Sequence, residues 1–308
     1  MITDKQLDAR NKGIGSSDVP AIFGACEWRT AKDVWLQKTG RMLPNMDTAG
    51  EAAEIGSAME PVILKLASER LGVRVVAPTN TFVKGVLRAN VDGMIDTFAR
   101  GSTIVEAKMT SRNDGWGDPG SKDVPERVML QVQHQMLCAN SPMCWVAVVN
   151  TSFSPKFSLY KVPFDPAVAS NIEDICTSWW ANYVVSDQEP DGLISAASAK
   201  WRQRVDGKCV DVNQHLMLQF DRAKKLRDEM DEAFENVKLQ LISALGDADR
   251  GVCNDLGLIA KYTNIVTKRF DVGKFKADHP QLAGQYTNEC EFRKLTVTKD
   301  KNVRSKQG

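Results

Sequence analysis

Between residues 73 and 105 the chain is written as short β-type runs, 73–76, 81–83, 86–91, 94–98 and 103–105, separated by Asn80, Gly85, Gly93 and Gly101. Runs rich in Val, Ile, Thr and Phe that are bounded by turn-forming residues predict strands. Helical patterns stand on both sides of this block. Over 51–71, Ile55, Met59, Val62, Ile63, Leu66 and Ala67 recur at three- and four-residue steps until Gly72. Over 126–140, Val128, Leu130, Val132, Met136 and Leu137 supply a second helical set. A shorter helix is predicted over 30–39 with Gly40 as its stop, two more strands over 145–149 and 157–162, and a further helix over 167–183. Helix, several antiparallel strands, helix and strands again predict an α/β fold of mixed α+β character, a mixed sheet flanked by helices.

The style of the sequence changes after residue 190. Pro190, Asp191, Gly192 and the Ser/Ala-rich stretch 195–199 read as a linker. Beyond it, apolar residues recur in threes and fours from Leu216 to Leu245, which predicts one long helix or a helical hairpin over about 215–245. Alternating runs at 258–262 and 295–298 predict a small sheet. The expected organisation is a first domain over 1–192 and an extension over 200–308.

Composition excludes several function classes. Lys plus Arg number 40 and Asp plus Glu 39, so bulk charge does not mark a nucleic-acid binder, and any such contact must come from local patches. Seven cysteines, Cys26, Cys138, Cys144, Cys176, Cys209, Cys253 and Cys290, form no Cys-x-x-Cys pair, which argues against zinc and iron–sulfur sites and for reduced thiols in a cytosolic protein. No apolar run approaches ~18 residues, so no transmembrane helix and no membrane partner are expected. The first residues lack the apolar core of a secretory leader, so none is expected.

The chemistry concentrates in Asn90-Val91-Asp92-Gly93 and, fourteen residues after Asp92, Glu106-Ala107-Lys108. Side chains alternate faces along a strand, so Glu106 and Lys108 share one face while Val105 and Ala107 enter a core on the other. A hairpin returning the chain can set Asp92 beside Glu106. Converging carboxylates make a hard-oxygen site suited to Mg²⁺ or Mn²⁺, and the Ala107 carbonyl can add one more oxygen. Lys108 beside such a site can orient or help deprotonate a water. Glu60, on the helix before the sheet, and Gln131, on the helix after the loop, can join it, with Gln135 one turn further on the same side. Gln133 points the other way. Alone, a Glu-x-Lys pair is most often a solvated strand face; the order and spacing of the whole set carry the reading.

That ordered set resembles the PD-(D/E)xK nucleases, and within them the viral-recombinase branch of lambda phage exonuclease and YqaJ-type proteins. The segments that match are Arg10 to Asp18, Gly56 to Pro61, Asn90 to Gly93, Glu106 to Lys108 and Leu130 to Met136. The resemblance implies a restriction-endonuclease-like core over 1–192. It implies Asp92, Glu106, the Ala107 carbonyl and Glu60 as metal ligands, Lys108 as the catalytic lysine and Gln131 as the helix glutamine. It implies a pocket for a DNA 5′-phosphate from Arg10 and Ser17, with Arg112 as a second ligand. It further implies Mg²⁺, with Mn²⁺ as a substitute, as cofactor of a two-metal-ion phosphodiester hydrolysis. The expected activity is 5′→3′ exonucleolytic resection of duplex DNA ends for phage-type recombination in the bacterial cytoplasm. A homo-oligomer, a trimer by resemblance, and a single-strand annealing protein are the implied partners. A structure-specific or nicking endonuclease and a silent DNA-end-binding module are the alternatives. Val91 stands where the family motif has Pro, and Met109-Thr110 where Cys-Pro is frequent.

Overall fold

The structure, a computed structural model, describes residues 12–42, 50–95, 102–202, 205–287 and 295–297. Its contacts divide the chain into two units, Met1–Arg204 and Val205–Gly308.

The first unit opens with β1 (Ile14–Gly15), α1 (Val19–Ile22) and α2 (Ala31–Lys38). Then come α3 (Gly50–Leu71), β2 (Val75–Val76), β3 (Phe82–Lys84), β4 (Leu87–Ala89), β5 (Gly93–Ile95) and β6 (Thr103–Thr110). After a loop follow α4 (Glu126–Ala139), β7 (Met143–Asn150), β8 (Lys156–Pro163), α5 (Pro166–Trp179) running into a π-helical turn (Trp180–Val185), and α6 (Ala196–Trp201). The main sheet has the order β2-β5-β6-β7-β8. β6 is antiparallel to β5 and parallel to β7, with Ala107 opposite Ala147. A parallel pair requires a crossover, and α4 provides it. A smaller sheet, β1-β4-β3, includes a parallel pairing of Ile14 with Leu87. The mixed α/β class expected from the sequence, a mixed sheet flanked by helices, is therefore the one observed.

Alternation along β6 builds two cores, one on each face. Val105 and Ala107 pack with Ile63 and Ala67 of α3. Ile104, on the other face, packs with Val128, Val132 and Met136 of α4 and with Val146 of β7. Glu106 and Lys108 share the face of Ile104 and so point toward α4. The far side of α4 is also covered: Leu130 joins Ile14, Val34, Leu36, Leu87 and Ile172 in a third cluster. A helix buried on two sides places its polar residues rigidly, because each must meet a partner.

Gly93 permits this arrangement. A Cβ there would lie 2.6 Å from Val75 Cγ1, 2.9 Å from Leu64 Cδ2 and 3.3 Å from Val105 Cβ, so only glycine lets α3 approach β5 this closely.

The stretch 195–199, expected as linker, is instead the start of α6. Ser195 caps it by accepting from Ser198 N at 3.1 Å, and the Ser195 N–H donates to Asp33 at 3.0 Å, tying the helix to α2. The expectation failed because Ser and Ala spell linker and capped short helix equally well.

The second unit contains α7 (Gln214–Leu245), a hairpin of β9 (Arg250–Cys253) and β10 (Leu258–Lys261), α8 (Val272–Asp278) and α9 (Pro280–Gln285). The small sheet expected over 256–298 is confined to the hairpin, and helices occupy 272–285. Residues 295–297 are not strand, and 298 lies outside the described residues. None of the cysteines described is paired: Cys144 and Cys176 are buried, while Cys209 and Cys253 are exposed. No helix among the described residues is long and apolar enough to cross a membrane.

Candidate active site

The antiparallel register sets Gly93 opposite Val105, so Asp92, one residue before β5, falls level with Glu106. The backbone locks it there, with Ala107 N donating to Asp92 Oδ2 at 2.8 Å. Glu106 is buried at 2 % exposure and saturated with donors. Lys108 Nζ reaches its Oε1 at 2.5 Å, Gln131 Nε2 the same oxygen at 2.6 Å, and Gln135 Nε2 its Oε2 at 2.6 Å. Lys108 also donates to Gln131 Oε1 at 2.8 Å. Two neighbouring strands, β5 with the residue before it and β6, and one helix thus bring Asp92, Glu106, Lys108, Gln131 and Gln135 together. The helical step of four from Gln131 to Gln135 was the signal for the last of these.

The electrostatics are those of crowded acids. Asp92 is packed densely enough that lost hydration, followed by repulsion from Glu106, holds its carboxyl well above the usual range, against the pull of Lys108 and the Ala107 N–H. Glu60 on α3 is half-buried, and its pKa is raised by burial and also by the charge of Glu106, so it lies within the same field. Among the described residues no group of three His, Cys, Asp or Glu side chains gathers tightly enough to hold a metal by itself. That donor set still fits Mg²⁺, which is usually bound through one or two carboxylates plus water and substrate phosphate oxygens. The repulsion from Glu106 that helps to raise Asp92 would be relieved by a divalent cation.

Of the expected phosphate ligands, Ser17 and Arg112 fall within the described residues. Arg10 lies outside the described residues. Ser17 is exposed in the turn before α1. Arg112 is exposed, pairs with Glu27 Oε2 at 3.0 Å and lies over the Trp28 ring at 5.6 Å. Between Gly15 and α1, Asp18 is fully buried. It accepts from Gly15 N at 2.8 Å and pairs with Arg29 at 2.5 Å and with the equally buried Lys38 at 2.7 Å. Although it stands at the N-cap of α1, the Asp18 side chain makes no cap bond. It is a charged staple that fixes the turn carrying Ser17, and nothing in local spacing reveals the distant Lys38. Gln133, expected to point away, accepts from Asp165 N at 2.9 Å and donates to Pro163 O at 2.8 Å, fixing the β8–α5 junction.

Fold and site together define an α/β core with two converging carboxylates, a lysine and paired glutamines. Residues 5–142 match the YqaJ-like viral recombinase domain family, the resemblance read from the sequence. The YqaJ protein of Bacillus subtilis is 27% identical over 317 residues, covering 96% of this chain and 94% of that one, so the likeness extends into the second unit. Among solved structures, an alkaline exonuclease from Laribacter hongkongensis matches at a TM-score of 0.47 and 16% identity, covering 60% of this chain and 94% of that one. A phage-related exonuclease from Haemophilus somnus matches at 0.42 and 12%, covering 57% and 96%.

Proposed function

We propose that this protein is a metal-dependent deoxyribonuclease that digests duplex DNA from its ends, 5′→3′, leaving a 3′ strand for recombination. The observation that carries the reading is Asp92 and Glu106 side by side at the centre of the sheet, with Lys108 and Gln131 on the same carboxylate. Asp92, Glu106, the Ala107 carbonyl and Glu60 are the oxygens that would hold Mg²⁺, or Mn²⁺ in its place; two ions are what the family resemblance implies. Bound there, the metal supplies a water of lowered pKa and polarises a phosphate oxygen.

The chain's own groups do the rest. Lys108, donating to Glu106, carries the positive charge nearest the acids and is placed to orient the attacking water and take part in its proton loss. Gln131 holds Lys108 and Glu106 together, which fixes the ammonium against free rotation. Arg10, Ser17 and Arg112 are the proposed ligands of the 5′-phosphate, an arginine giving a bidentate contact to phosphate. The near-neutral charge balance of the whole chain fits DNA held in a channel rather than on a strongly basic exterior, as in a ring of subunits that hands its product to an annealing protein.

Linear and closed circular duplexes incubated with Mg²⁺ test this. Digestion of the linear form alone is expected, and loss of the circle supports an endonuclease instead. Lys108→Ala, which removes one partly exposed side chain, is expected to abolish digestion with folding intact. Wild-type digestion by that variant overturns the assignment.

A further inference from the structure

The contacts that build the acidic centre continue outward to a cluster that the centre itself does not use. Glu106 of β6 meets Gln135 of α4, and Lys108 meets Gln131, so each step outward along the strand is matched by a step back along the helix. One step further out stand Arg112, four residues beyond Lys108, and Arg127, four residues before Gln131 and on the same side of α4. Both guanidinium groups lie over the ring of Trp28, Arg112 at 5.6 Å and Arg127 at 5.2 Å from its centroid. Trp28 is 52% exposed. The next residue, Arg29, is held by Asp18 and Gln37, so the ring stands on an anchored bend.

Two cations on one ring repel each other. Arg112 is balanced by Glu27, but no carboxylate pairs with Arg127 among the described residues. Glu126, one residue earlier, projects from another side of the helix. Arg127 is also the second residue of α4, where the helix dipole already supplies positive charge, and a cation in that turn is unfavourable. Nothing in the folding of the chain accounts for such a placement; a negative group arriving from outside does. The distances suit a nucleic-acid strand. A helix rises about 1.5 Å per residue, so Arg127 lies about 6 Å from Gln131 along α4. Phosphates of one DNA strand follow one another every ~3.4 Å along the duplex. A strand whose scissile phosphate rests at Asp92 and Glu106 therefore carries a neighbouring phosphate past Arg127.

We propose that Arg127 grips a DNA phosphate next to the one that is cut, and that Trp28 is the positioning residue that holds Arg127 level with Arg112. The proposal rests on the reading of the acidic centre as a DNA-cleaving site, and its test reads binding without metal so that grip and cleavage fail separately. Fluorescence anisotropy of a labelled blunt duplex in EDTA, over about 50 to 200 mM salt, gives Kd and its salt slope for the full chain. Losing one phosphate contact lowers the slope of log K against log salt by about 0.9. Arg127→Gln is expected to show that loss, and Arg127→Lys, which keeps the charge, to retain the slope. Trp28→Leu is expected to weaken binding about threefold, while Trp28→Tyr, which keeps a ring face, stays near wild type. Arg127 is partly exposed, and glutamine removes a cation that the helix end disfavours, so urea midpoints should report the fold retained. Arg127→Gln with the wild-type Kd and slope overturns the proposal, as when the cluster meets an acidic protein instead. A wild-type chain that does not bind the duplex overturns it too, and Trp28→Leu with the wild-type Kd overturns the positioning role. A chain that shows the expected slopes yet leaves DNA undigested in Mg²⁺ counts against the nuclease reading alone.

Discussion

Replacing Gln135 by Met isolates what the second glutamine does for the acidic centre. Methionine keeps the length and nearly the volume, so packing against neighbouring side chains is little changed. What disappears is the 2.6 Å donor to Glu106 Oε2 and a weaker 3.3 Å bond to Asn90 O. Glu106 is 2 % exposed, so water does not replace the donor. A hydrogen bond to a charged group contributes about 1.5–3 kcal/mol, and a buried acceptor left unpaired costs a similar amount. The expected loss is therefore about 2–3 kcal/mol, which for a unit of this size lowers Tm by roughly 4–12 °C. Urea unfolding of metal-free protein measures it, and added Mg²⁺ should recover part of the loss by neutralising the same carboxylate. The Gln133→Met variant is the control: it removes the ties at Pro163 and Asp165 and should cost stability while kcat on linear duplex is unchanged. A loss under about 0.5 kcal/mol for Gln135→Met would mean that Glu106 Oε2 is solvated and the description of the buried centre is wrong.

Gly93→Ala should cost about 1–3 kcal/mol through overpacking, since its Cβ meets Val75 at 2.6 Å and Leu64 at 2.9 Å; a urea midpoint equal to wild type would refute the close approach of α3 to β5. His134, fully buried, has its imidazole pushed down to about 4 by burial, against the pull of Asp18 and the Ile14 backbone. The unfolded chain takes up this proton near pH 6.5 and the folded chain only near 4, so its contribution is complete above 6.5 and falls as pH drops, by at most about 3 kcal/mol. His134→Leu should flatten that part of the stability profile, and an unchanged slope between pH 6.5 and 4 would contradict it.

The sequence made the site legible where chemistry and periodicity coincide. Alternation put Glu106 and Lys108 on one face, and the four-residue step put Gln131 and Gln135 on one side of α4; both appear as hydrogen bonds. The level placement of Asp92 and Glu106 needed only a hairpin register. What stayed hidden was non-local. The Asp18–Lys38 pair joins residues twenty apart through a buried charge, which no spacing rule signals. The α6 helix was hidden because its Ser/Ala composition is ambiguous until Asp33 receives the Ser195 N–H. In 272–285, Asp271 caps a helix by accepting from Lys274 N at 2.9 Å, a local signal that the expectation of strands overrode.

The central claim is that Asp92 and Glu106 share a divalent cation. A crystal soaked in Mn²⁺ and measured at the manganese absorption edge tests it directly. The account predicts an anomalous peak within coordination distance of both carboxylates, lost in crystals of Asp92→Asn. A fully occupied Mn²⁺ elsewhere, with the space between Asp92 and Glu106 bare, would contradict it.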